Sequence, residues 1–155
     1  MNKYNIFSFA IVIVLILVIY QLLTVVKIDN TPYIKIAGQN IKVELALTPA
    51  EQEKGLSGRS ELKEGEGMLF VFNNSDEYVF WMKDMNFAID MIWLAPFEGG
   101  DGEDMRVVYI KKDAQPESFP ETYGPDINSK YVLEVVAGFS DKNNLKEGDG
   151  VEFIY

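Results

Sequence analysis

From Ile28 to Tyr155 the apolar residues fall in short runs, each closed by Gly, Pro, Asn or Asp. Runs of this kind are too short for ordinary amphipathic helices and read as strands. The pattern predicts strands at Tyr33–Ile36, Ile41–Leu47, Met68–Phe72, Tyr78–Trp81, Ala88–Leu94, Met105–Lys111, Tyr131–Ala137 and Val151–Tyr155. The first two form a hairpin across residues 37–40. Val43, Leu45 and Leu47 alternate with Lys42, Glu44 and Ala46, so one face of that hairpin is buried. Ala88–Leu94 has apolar residues on both faces, which predicts a central strand. Two short helical signals interrupt the strands. Thr48-Pro49-Ala50-Glu51 combines a capping threonine, a first-turn proline and a capping-box glutamate, with Gly55 as the stop. Ser140–Leu145 reads as a helical turn capped by Ser140. Loops are expected at Leu56–Gly67 and Pro96–Asp104, with a turn at Asn73–Asp76. Lys112–Lys130 reads as a long irregular segment, and connections of that length are often functional. Many short strands and little helix argue an all-β fold, a compact sandwich or barrel with one or two short helices.

Ahead of this domain, Ile6–Val26 runs for 21 residues without a charge. A bilayer core requires about 20 apolar residues as helix. The stretch lacks the polar face of a globular helix, and Thr24-Val25-Val26-Lys27 offers no small-residue cleavage site. It therefore reads as an uncleaved transmembrane anchor over residues 6–26 rather than as a signal peptide. Lys3 and the terminal amine precede it, and the positive-inside rule leans toward an N-terminus in the cytoplasm and a domain outside. The expected division is residues 1–27 as anchor, 28–40 as linker and first strand, and 41–155 as β domain. The expected location is the cell membrane, single-pass, with the domain extracytoplasmic.

The chain has 155 residues, with 24 acidic and 14 basic side chains. Only Lys3 and Lys27 precede Asp29, so the β domain sets 24 acids against 12 bases. Such a surface repels phosphate backbones and argues against a nucleic-acid partner. No cysteine or histidine is present. That removes thiol chemistry, disulfides, imidazole acid–base work and the common zinc sites. No cofactor is called for.

The chemistry-bearing residues concentrate in Tyr78–Phe97, which contains both tryptophans. Lys83 interrupts an apolar run and Asp90 lies inside another, and buried charges are costly unless paired. Two readings stand. Lys83 forms a structural ion pair with Asp90 or Glu134, or it has a lowered pKa and acts as base or nucleophile with Asp90 or Ser57. A serine–lysine hydrolase would use Ser57, although no G-x-S-x-G elbow is present. Met82, Met85 and Met91 offer soft ligands for Cu(I), but strand alternation does not make them converge. Asp101, Glu103 and Asp104 form an acidic loop without EF-hand spacing.

Several short phrases, taken together, carry a resemblance. They are Gly55-Leu56-Ser57-Gly58-Arg59, Gly67-Met68-Leu69-Phe70-Val71-Phe72, Phe80-Trp81-Met82-Lys83, Ile89-Asp90-Met91-Ile92, Tyr131-Val132-Leu133-Glu134-Val135 with Gly138, and Gly148-Asp149. In order and spacing, from about Ile41 to Tyr155, the chain resembles the bacterial and archaeal family called domain of unknown function 192. The resemblance implies a β-rich fold of sandwich or jelly-roll type, often behind a signal sequence or anchor, and no reaction. The family usually follows Trp-Met-Lys with Asn-Thr, where this chain has Asp84-Met85. The combined expectation is a small-ligand or protein-binding module with Arg59, Trp81, Met82, Lys83, Asp90 and Glu134 at its site. A small hydrolase or lyase is the alternative.

Overall fold

The strand pattern resolves into a closed barrel. A computed structural model describes residues 11–20, 31–97 and 105–154. The chain forms two compact units, Met1–Asn30 and Thr31–Tyr155. In the first, residues 11–20 are helical and every side chain is exposed. The rest of the expected transmembrane helix lies outside the described residues. Among the described residues no helix is long and apolar enough to cross a membrane.

Among its described residues the second unit has nine strands and two short helices: β1 (Tyr33–Ile36), β2 (Gln39–Ala46), α1 (Pro49–Lys54), β3 (Glu66–Asp76), β4 (Phe80–Trp81), β5 (Ile89–Pro96), β6 (Met105–Ala114), β7 (Thr122–Tyr123), β8 (Ser129–Val136), α2 (Phe139–Lys142) and β9 (Gly150–Ile154). Seven strands close the barrel in the order β1-β2-β3-β8-β5-β6-β9, with β1 bonded to β9, and β4 pairs with β7 in a separate two-stranded sheet. The all-β expectation holds, and of the expected forms it is the barrel that is found. All barrel pairs are antiparallel except β2 with β3. The parallel step follows from the connection, because α1 and the loop after it carry the chain back before β3 begins. Antiparallel neighbours accept short turns, whereas a parallel pair needs a crossover of this kind.

Local chemistry explains most element ends. The β1–β2 turn is two residues, Ala37 and Gly38, both at positive φ (50° and 73°), the backbone of a primed hairpin turn. In α1 the capping box is complete: Thr48 Oγ1 accepts from the Glu51 N–H at 3.3 Å, and Glu51 Oε2 accepts from the Thr48 N–H at 2.9 Å. Gly55 follows at φ 48°, and a Cβ there would lie 3.2 Å from the Phe70 ring.

Five expectations are corrected. Of the buried face expected along Val43, Leu45 and Leu47, only Val43 is buried, and Ala46 is buried in place of Leu45. The turn expected at Asn73–Asp76 is strand, because Asp76 still pairs with Ser129 after a register shift. Only Phe80–Trp81 of the strand expected at Tyr78–Trp81 pairs. The irregular segment Lys112–Lys130 contains the end of β6, a 3₁₀ turn (Pro116–Ser118), β7 and the start of β8. The helical turn expected from Ser140 begins at Phe139, after Gly138 in the left-handed region, and Ser140 is fully buried within it.

Side chains alternate between two cores, as strand geometry requires. The barrel interior takes residues from all seven strands, among them Ile34, Val43, Leu69, Ile92, Leu133 and Val151, with Phe139 and Leu145 at one end. The second core lies on the outer face of β3, β8, β5 and β6. It holds Phe70, Val132, Met91, Trp93 and Ala114, covered by Leu56, Met82 and Tyr123. The first seven residues of β5 are all buried, on both faces of the strand as its sequence predicts.

Candidate functional site

Glu134 stands in the second core. On β8, Leu133 and Val135 point into the barrel while Val132 packs outward, and Glu134 shares the Val132 side by alternation. Its cross-strand neighbours are Met68 on β3 and Met91 on β5. It is 4 % exposed, and its Oε2 has no hydrogen-bond partner. Burial pushes its carboxyl up to about 8, with the Arg59 guanidinium pulling the other way. At neutral pH the group is mainly a carboxylic acid that can both donate and accept a hydrogen bond.

Over this face runs the aromatic segment before and within β4. The Trp93 indole N–H donates to the Tyr78 carbonyl at 2.8 Å. Phe80 meets Phe70 edge-on at 4.8 Å and Trp93 at 5.7 Å. Phe72 stacks on Tyr78 at 3.5 Å. Gly124 lets the segment lie close, since a Cβ there would fall 2.7 Å from the Tyr78 carbonyl oxygen. The cover is incomplete. A cavity of about 170 Å³ remains, walled by the C-terminal end of α1, Ser57, Phe72, Tyr78, Phe80 and Trp81, with Glu134 in its lining. Trp81 is half exposed, edge-on to Phe119 at 6.3 Å.

The Gly55–Arg59 and Trp81–Asn86 phrases are stitched to one another. Ser57 Oγ donates to the Lys83 carbonyl at 2.8 Å, the Gly58 N–H donates to the Asp84 carbonyl at 2.8 Å, and Asn86 Nδ2 donates to the Arg59 carbonyl at 2.8 Å. Asp84 sits at φ 55°, a region that Asn and Asp tolerate better than other side chains.

The six residues expected at the site do not form one cluster. Trp81 and Glu134 line the cavity, and Ser57 lies beside them. Met82 is buried in the core beneath. Arg59 makes a two-pronged pair with Glu44, at 2.7 Å and 2.6 Å. That contact holds the Glu44 carboxyl below its usual range and raises Arg59. Lys83 is exposed. Asp90 is fully buried, on the other face of the sheet from Glu134, because it pairs with Val135 while Met91 pairs with Glu134. Its Oδ1 accepts from the Asp113 N–H at 2.9 Å and the Gly138 N–H at 3.2 Å, and its Oδ2 from the Ser140 N–H at 2.8 Å. Backbone donors thus take the place expected for Lys83. Ser57 Oγ meets Lys83 at its backbone carbonyl.

The chain turns between Met82 and Met85, where the Met85 N–H donates to the Met82 carbonyl at 3.3 Å, and both pack on the second core, which also holds Met91. The acidic loop Asp101, Glu103 and Asp104 lies outside the described residues. Among the described residues no group of three or more Asp or Glu side chains is placed to hold a metal ion. Sequence reading did not single out Phe70, Phe72, Tyr78 or Phe80 as cavity residues. Their one signal is the aromatic density at the end of one strand and the start of the next.

Solved structures with this fold exist. One, a protein of unknown function from Novosphingobium aromaticivorans, is 31 % identical, with a TM-score of 0.67 over 79 % of this chain and 83 % of that one. Another, titled a putative transcription regulator from Sinorhizobium meliloti, is 28 % identical, with a TM-score of 0.68 over 79 % of this chain and 91 % of that one. No curated protein matches the chain. The family model for DUF192, described as an uncharacterised ACR, matches residues 33–153. The barrel, its outer cavity and this match over nearly all of the second unit lead to one conclusion: the chain belongs to the DUF192 family.

Proposed function

We propose that the β domain is a binding module for a small organic ligand, taken into the cavity between α1 and the Tyr78–Trp81 segment. The observation that carries this reading is Glu134, a buried carboxyl with an oxygen that no protein group satisfies, in the lining of an aromatic cavity. Buried polar groups are ordinarily hydrogen-bonded, and an apolar pocket with a few inward polar groups is the usual form of a small-molecule site. In this reading residues 6–26 anchor the protein in the cell membrane and hold the domain on its outer side. The exposed Lys83 and the committed Ser57 hydroxyl weigh against the hydrolase or lyase alternative. The acidic surface weighs against extending the Sinorhizobium title to this chain, because such a surface repels DNA. The gathering of Met82, Met85 and Met91 keeps Cu(I) as a minor reading.

The test is a thermal-shift screen of the full chain in detergent against amines, amino acids, sugars, nucleotides, peptidoglycan fragments and Cu(I) under reductant. A bound ligand raises the melting temperature by mass action. A hit that disappears in Trp81→Ala and Glu134→Gln supports the reading. Silence across the panel, in a protein that melts cooperatively, overturns it and returns the search to protein partners.

A further inference from the structure

The polar groups of the cavity wall are spent in one direction. Gln52 Nε2 donates to the Ala46 and Val71 carbonyls at 3.3 Å and 2.8 Å. The Tyr78 hydroxyl donates to the Asn74 carbonyl at 2.9 Å, and Ser57 Oγ donates to the Lys83 carbonyl. Arg59, the nearest guanidinium, is held by both oxygens of Glu44. Only the exposed Lys54 and the half-exposed Trp81, both in the lining, keep side-chain N–H groups without a hydrogen bond. What the interior offers a ligand is ring surface and one unpartnered carboxyl. An anion or a carbonyl-rich molecule finds few donors there. A cation finds aromatic side chains in the lining, whose ring faces attract ammonium groups, and a carboxylate to pair with.

Resting on the binding-module reading above, we infer that the ligand is a small organic ammonium ion, its cationic head enclosed by the aromatic wall and set against Glu134. Size agrees: a dry cavity of about 150 Å³ takes benzene, so about 170 Å³ takes an alkylammonium or choline-sized head and little more. The net charge of -10 favours the approach of cations over anions.

Binding couples to a proton. The ammonium enters beside a protonated Glu134, and the carboxyl proton leaves to solvent, so carboxylate and ammonium remain as a pair. The charged groups around Glu134 are few: Arg59 with its partner Glu44 on β2, and Glu53 and Lys54 of α1 at the cavity wall. The strands on either side place Met68 and Met91 directly opposite. Arg59 favours ionisation and burial opposes it, and burial prevails. Below pH 8 affinity should therefore fall about tenfold per pH unit, and level off above it.

The experiment is isothermal titration calorimetry on the full chain with choline, tetramethylammonium and n-butylamine. Two uncharged or anionic controls of similar shape, 3,3-dimethylbutanol and butyrate, are titrated alongside. At pH 7, runs in phosphate and Tris should differ in heat by the release of about one proton per ligand, and that difference should vanish at pH 9.5 for the two quaternary probes. Glu134→Gln should weaken the ammonium probes at least tenfold, remove their pH dependence and leave the fold intact. Equal binding of choline and 3,3-dimethylbutanol, or preferential binding of butyrate, overturns the cation inference while the binding-module reading survives. Failure of every probe also overturns the inference, and the wider thermal-shift screen then decides the fate of the reading itself.

Discussion

Two buried carboxyls on opposite faces of one sheet have opposite fates. Asp90 is satisfied by three backbone N–H groups from two segments, β6 and the α2 turn. Asp90→Ala strands those donors in the interior, each at a cost of about 1–3 kcal/mol. Chemical denaturation should show a loss of about 3 kcal/mol or more, and Asp90→Asn a smaller one. Glu134 is unsatisfied, and its pH signature has the opposite sign to that of an ordinary paired acid. The folded carboxyl holds its proton up to about 8, against an ordinary value of 4.5. Its contribution is fully present below about 4.5 and is lost as the pH rises through about 8. Glu44 and Glu51 act the other way: their lowered values give stability that is lost as the pH falls below 4.5. Glu134→Gln should therefore melt higher than the wild type at pH 9, by a free energy on the order of a few kcal/mol, and the gap should close toward pH 5. A wild-type melting temperature that does not fall between pH 6 and 9 relative to Glu134→Gln would sink the assignment.

At the scale of elements, what could be read in advance was what the chain settles locally. Thr48, Pro49 and Glu51 announce α1 because a capping box involves only neighbours in sequence. Thr48→Ala should cost about 1 kcal/mol, seen as a lowered denaturation midpoint with an unchanged slope. The two-sided burial of β5 was equally legible, whereas the buried face expected of β2 holds at Val43 but not at Leu45 or Leu47, which are exposed while Ala46 is buried. The parallel pairing of β2 with β3 was not, because nothing in either strand encodes its partner. Asn73–Asp76 has the composition of a turn yet runs on in β3, since Asp76 finds Ser129 far along the chain. The cavity was legible only in fragments. Trp81 and Glu134 could be named as candidates, but Phe72, Phe80 and α1 come together only through tertiary contacts. The expected Lys83–Asp90 pair failed because charge alone does not report that backbone donors from β6 and the α2 turn reach Asp90 first.

For the whole molecule, the main device is closure. A barrel has no free edge to recruit a second chain, and here it is β1 and β9 that complete it. Deleting Gly150–Ile154 removes the strand that bonds to both β1 and β6. The shortened protein should lose its cooperative melting transition by circular dichroism and gain a tendency to aggregate. The two cores divide the work. The interior core fixes the barrel, and the outer one, covered by short segments without long strands, leaves the space that Glu134 faces.

The seam between β1 and β9 also sets a clock. β1 is made early and β9 last among these strands, and each needs the other. While synthesis proceeds, Ile34 and Ile36 have no barrel to enter, and the sheet cannot be finished strand by strand. Closure needs β9 and joins strands far apart in sequence, with Tyr33 opposite Ile154, which makes folding slow relative to proteins built from local contacts. Until β9 arrives, the backbone N–H and C=O groups of β1 and β6 that it will cover have no strand beside them. The same seam that protects the finished barrel leaves the unfinished one with open, adhesive edges.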